Sequence, residues 1–187
     1  MVDLLTAGDS RTGANRTFPF HYETGVLLDA TPEIAFAYLD DFRKLSMHME
    51  KSSPMMMGSR MRITGDAGEG RAIGSSIRME GRVLGLTLSL DEVVIRRNPP
   101  WEKAWRTLGA KLVVIGRYEL GFVLSARGTR SWLRVFIDYE LPATPWGSWL
   151  GRLFGGMYAR WCVRRMAGDA AAHFGSPIAI SRKLPPQ

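Results

Sequence analysis

A single cysteine, Cys162, stands in 187 residues, so no internal disulfide can form and no multi-cysteine zinc or iron–sulfur site can be built. A lone thiol of this kind reads as a small buried hydrophobe, and a cytoplasmic protein is the simplest reading. Histidine is nearly as scarce. His21, His48 and His173 are scattered with no pair at helical or strand spacing, and neither a metal nor another cofactor is expected. No run reaches the roughly 18 apolar residues of a membrane-spanning helix. The nearest, 143–162, is rich in tryptophan and leucine but broken by Arg152, Arg160 and several glycines. The first residues lack both a basic start and a sustained apolar segment, so no secretory signal is expected.

Acid is the minority charge. Asp and Glu number 18 against 25 Lys and Arg, a net +7 that favours anionic partners. Much of the base alternates along strand-like segments, as in Arg60 and Arg62 or Arg78 and Arg82, the pattern of a solvated sheet face. No recognised motif or basic helix supports nucleic acid as a partner. With 45% hydrophobic and 23% charged residues the remainder is ordinary for a soluble globular chain of one domain.

Residues 1–17 are small and polar with no period and read as a loosely ordered arm, 18–175 as the domain, and 176–187 as a tail. Tyr22, Thr24, Val26 and Leu28 alternate with His21, Glu23 and Asp29, which predicts a first strand. Thr31-Pro32-Glu33 places a capping residue, a first-turn proline and an acid at the start of a helix expected over 32–41. Its expected inner face is Ile34, Tyr38, Leu39 and Phe42, and a short second helical turn follows through Leu45 and His48.

After Met55-Met56-Met57 the chain reads as strands and turns. Met61 and Ile63 alternate with arginines, Gly65, Gly68 and Gly70 mark a hairpin, and Ile77 and Met79 resume the inner face. Asn98-Pro99-Pro100 closes the next strand and 101–107 is a further short one. Leu112, Val114, Tyr118, Leu120 and Phe122 are expected on one face, as are Leu133, Val135, Ile137, Tyr139 and Leu141. Thr144-Pro145 repeats the capping pattern and opens a long helix ending near Phe174. That helix is apolar over more than half its circumference and is expected to be broadly buried; Gly147, Gly151 and Gly155 would let a sheet approach its backbone. The order of elements is α+β: about seven antiparallel strands curled around the last helix, with two short helices after the first strand.

This chain resembles the START-related, birch-pollen-allergen-like superfamily (SRPBCC, polyketide cyclase/dehydrase-like) and its helix-grip fold. The resemblance covers roughly 18–174. It rests on the Ala30-Thr31-Pro32-Glu33-Ile34-Ala35-Phe36 helix start, the Gly68-Glu69-Gly70 to Gly74-Ser75 hairpin, the Glu92-Val93 to Pro100 strand end and the terminal apolar helix. It implies a cavity between the concave sheet face and that helix, holding a small hydrophobic or amphipathic ligand that is bound or carried. The residues expected to line it include Met61, Ile77, Met79, Trp105 and Phe122, with Met157 and Trp161 from the helix. Glu92, Tyr118, Tyr139 and His48 are the candidate polar anchors.

Two other readings stand beside it. A cyclase- or dehydratase-type enzyme would use the same pocket, with Glu92 as base beside Tyr118 or Tyr139. An anionic membrane surface is the other candidate partner, suggested by Trp146 and Trp149 with Arg152, Arg160, Arg164 and Arg165. Leu4-Leu5-Thr6-Ala7-Gly8-Asp9-Ser10 looks like a lipase-type nucleophile block, but Asp169 precedes His173 by four residues and no matching partner block occurs. The sequence names no catalytic residue and assigns no oligomeric state.

Overall fold

The structure is a computed structural model and describes residues 18–45, 61–83, 86–112 and 114–175. The expectations for Ser10, the 55–57 methionines, His48 and both terminal segments lie outside the described residues, as does the side chain of Met61. Seven strands are described: β1 (Phe20–Leu28), β2 (Met61–Gly65), β3 (Ser76–Val83), β4 (Leu86–Asn98), β5 (Glu102–Lys111), β6 (Tyr118–Arg127) and β7 (Arg130–Tyr139). They form one antiparallel sheet in the order β1-β7-β6-β5-β4-β3-β2. The first strand thus pairs with the last, and the sheet curls around helix α3 (Pro145–His173); α1 (Pro32–Leu39) and α2 (Phe42–Leu45) follow β1.

Strand alternation sets the inner face. Tyr118, Phe122 and Leu124 on β6 stand opposite Tyr139, Val135 and Leu133 on β7, and all six are buried in one core. Leu112 and Val114 precede β6 rather than belonging to it, and Leu141 follows β7. Trp101 sits half-exposed in the turn before β5. The β2–β3 hairpin is organised by Asp66, whose carboxylate accepts from the Gly68 and Ser76 amides at 2.9 and 2.7 Å; Gly70 and Gly74 take positive φ of 67° and 87°.

Two helical expectations are corrected. In α1, Ile34 is 58% exposed, and the inner face is Ala35, Phe36, Tyr38 and Leu39. The buried stripe runs at helical spacing through Pro32, Ala35, Phe36 and Leu39, with Phe36 edge-on to Phe122 at 5.7 Å, and Ile34 lies on the opposite side. In α3 the Thr144 cap forms as expected, accepting from the Gly147 amide at 3.2 Å, but the helix is not broadly buried. Its buried face carries Gly151, Gly155, Ala159, Ala167 and Ala170 with Cys162, Val163 and Met166, and Trp146, Trp149, Leu153, Phe154 and Met157 stay exposed. Contact distance decides this. A Cβ at Gly151 or Gly155 would stand 2.9 Å from the Val114 carbonyl oxygen, so only the small-residue face can approach so closely.

The convex face is held by ion pairs and by aromatic rings laid over glycines. Glu119 receives Arg96 and Arg106 at 2.5 and 2.9 Å, and His21 meets Asp138 at 2.8 Å. Trp132 covers Gly25 so closely that an added Cβ would lie 2.4 Å from its ring. Gly25→Ala is therefore expected to displace the indole and cost about 1–3 kcal/mol. Chemical denaturation checks this, and an unchanged midpoint would contradict the packing described.

Candidate functional site

Glu92 reaches the inner face by ordinary alternation, sharing strand parity with the buried Leu90 and pairing with Ile77 as Leu90 pairs with Met79. The β4–β5 register shifts between Asp91 and Glu92, where β5 carries Leu108 as an extra residue, and this sets Thr107 opposite Glu92, with Ile77 opposite it on β3. Glu92 is 1% exposed and has no cationic partner among the described residues. The Tyr118 hydroxyl donates to its Oε1 in a short hydrogen bond, and the Trp105 indole also donates to it. Burial pushes the carboxyl up to about 7, although both donors act in the opposite sense. Burial likewise raises the Tyr118 hydroxyl well above its ordinary range, reinforced by the adjacent Glu92.

Tyr118 is placed by backbone contacts. Its amide donates to Thr107 Oγ1 at 3.0 Å, and the Thr107 hydroxyl donates to its carbonyl at 3.3 Å, where the β5–β6 ladder has ended. From α3, Tyr158 and Cys162, one helical turn apart, are hydrogen bonded to each other and lie close enough to feel the Glu92 charge. Burial drives the Cys162 thiol up to about 12, so it is no ready nucleophile. The cluster is an acid–phenol–indole group on the sheet facing a phenol–thiol pair on the helix, its carboxyl raised to about 7.

Most of the expected lining residues are brought together. Ile77, Met79, Trp105, Tyr118, Phe122 and Tyr139 all belong to the core cluster, with Tyr139 stacked on Phe20 at 5.3 Å. Glu92 has the two sheet donors rather than an arginine. Met157 is corrected: it is half-exposed, because the small-residue side of α3 faces the sheet. Trp161 packs against the core from one side and, with Met157, lines an open groove of about 790 Å³ on the outside of α3.

Sequence reasoning missed a second buried polar group. Lys103, 1% exposed, donates through Nζ to the Asp40 carbonyl at 2.7 Å and to Asp40 Oδ1 at 2.8 Å. Arg97 clamps the same carboxylate at 3.1 and 2.8 Å. Burial would raise the Asp40 carboxyl, but the bonds from Arg97 and Lys103 outweigh it and hold it below its usual range. A readable signal existed: Lys103 shares strand parity with the inward Trp105. Among the described residues no three His, Cys, Asp or Glu side chains stand together as a metal set, and no described helix is long and apolar enough to cross a membrane.

A curved antiparallel sheet gripping a long C-terminal helix, with two short helices after the first strand, is the helix-grip fold. Three solved structures carry the likeness. The Zhui aromatase/cyclase of a Streptomyces species superposes with a TM-score of 0.62 at 13% identity, covering 83% of this chain and 93% of its own. Norcoclaurine synthase of Thalictrum flavum gives 0.56 at 11%, with the same coverages of 83% and 93%. A START superfamily protein of Mycobacterium smegmatis gives 0.54 at 16%, covering 83% and 97%. No family model matches the sequence, and no curated protein sequence matches it.

Proposed function

We propose that the protein binds a small, mostly apolar molecule bearing one polar group in the space between the sheet and α3, with Glu92 and Tyr118 as its polar end. The observation that carries this reading is a carboxyl group buried among apolar side chains with no cation to neutralise it. Such a group costs stability when it serves only the fold. A carboxyl can accept about four hydrogen bonds, or donate one when protonated, so the Tyr118 and Trp105 contacts leave capacity for a ligand hydroxyl or carbonyl. The surrounding Ile77, Met79 and Phe122 suit a ring or chain. Among the structural neighbours one is an aromatase/cyclase and another a synthase solved with a transition state analogue, so this architecture supports small-molecule chemistry in those proteins.

Binding and carriage need only this anchor. A cyclase- or dehydratase-type reaction is the second reading, favoured by a carboxyl poised near 7 against a phenol, which could take and return a proton at one substrate carbon. Native mass spectrometry of the purified protein, followed by denaturing extraction, tests the first reading. A retained apolar compound, lost in Glu92→Leu while the protein stays folded, is the expected result. An empty protein that takes up no member of an aromatic and lipid panel would contradict it. Turnover of a panel compound, abolished by Glu92→Gln without loss of its binding, would decide for the enzyme.

A further inference from the structure

Helix α3 buries glycines and alanines together with Cys162, Val163 and Met166, yet along its first half the large apolar side chains Trp146, Trp149, Leu153, Phe154 and Met157 face solvent. Trp146 is 80% and Trp149 58% exposed, and with Leu153 and Met157 they follow one another at three- and four-residue steps along one side. The same side continues into Arg160 and Arg164, and Arg152 stands beside it. Four arginines and a single acid, Asp169, occupy the 29 residues, and Asp169 is paired with Arg165 at 3.2 Å. Arg152 and Arg160 meet no carboxylate among the described residues, and Arg160 lies over the Tyr22 ring instead.

We infer that this face of α3 docks the protein on an anionic lipid bilayer, Trp146 and Trp149 entering the headgroup boundary while Arg152 and Arg160 meet lipid phosphates. Tryptophan prefers that boundary because its ring is apolar and its N–H is not, and arginine matches phosphate geometry. The helix is too polar to cross, so it lies on the surface. A second copy of the chain is a poorer occupant: a twofold contact through this stripe would bring unpaired arginines together. The inference goes beyond ligand binding and does not depend on it.

Flotation with phosphatidylcholine vesicles, with and without phosphatidylglycerol, tests it. Binding is expected only to the anionic vesicles and is expected to fall steeply as salt is raised. Arg152→Gln with Arg160→Gln should weaken it about 20-fold, and Trp146→Ser with Trp149→Ser about tenfold or more. These side chains are exposed, so circular dichroism should stay unchanged. No binding to anionic vesicles at low salt, or binding indifferent to the tryptophan pair, would overturn the inference. So would a concentration-dependent dimer abolished by the tryptophan pair without vesicle binding, which would assign the stripe to self-association. Ligand uptake in vesicle-free buffer reports on the cavity separately, so either idea can fail alone.

Discussion

Asp40→Ala is expected to destabilise the protein by about 3–5 kcal/mol, the loss typical when one partner of a buried ion pair is removed. Lys103 would keep only the backbone carbonyl of residue 40 as a partner, and Arg97 would lose both of its bonds. The cost comes from leaving an ammonium group buried and unpaired. The double variant Asp40→Ala with Lys103→Met should therefore recover much of the stability. Asp40→Asn, which keeps one acceptor, should fall between. Because the folded state holds the Asp40 carboxyl low, its contribution is complete above the ordinary carboxylate pKa and is lost as the pH falls through the lower folded value. Urea unfolding of the single and double variants checks this. A single variant as stable as wild type would show that the triad does not anchor the α1–α2 junction to β4 and β5.

Glu92→Gln has the opposite sign and a different pH signature. The folded carboxyl titrates at about 7, whereas an exposed one titrates near 4.3. Between these values the folded state binds the proton that the unfolded state has released. The stabilisation tied to that proton is full below the unfolded pKa and is lost as the pH rises through about 7. The difference corresponds to about 4 kcal/mol. Glutamine cannot titrate and keeps an oxygen for the Tyr118 and Trp105 donors. Relative to wild type, the variant should thus gain about 4 kcal/mol between acid and mildly alkaline pH. Paired denaturation curves on the two sides of neutrality measure it directly, since other titrating groups cancel in the difference. A pH-independent gap between the proteins would mean that Glu92 is not the buried acid described.

The strands and the long helix were legible because their signals are local. Alternation along 118–124 and 133–139, and the two Thr-Pro caps, need nothing from the rest of the chain. Facing was harder to read where composition misled. Large apolar residues on α3 implied a buried face, yet Gly151 and Gly155 are what permit the contact distance that the 114 carbonyl imposes. Ile34 failed for a related reason, since the stripe that is buried runs through Pro32, Ala35, Phe36 and Leu39, two of them small residues that composition does not single out.

Glu92 and Tyr118 were both readable as inward polar residues, but their hydrogen bond was not, because it joins β4 and β6 across β5, a pairing that no local pattern encodes. Lys103 shows the reverse error. Its parity pointed inward, but lysine is so seldom fully buried that the paired Asp40, 63 positions away, was needed to make sense of it.

The account rests on Glu92 and Tyr118 forming the polar end of a ligand site, and the pH dependence of ligand uptake tests this most directly. For an aromatic carboxylate probe titrated by fluorescence, affinity should fall as the pH rises through about 7, because the ionised Glu92 repels a charge that its neutral form accepts. Glu92→Gln should flatten that profile, and Tyr118→Phe should weaken binding on both sides of it. A wild-type affinity with no step near neutrality, or the same step retained in Glu92→Gln, would contradict a ligand held by this pair.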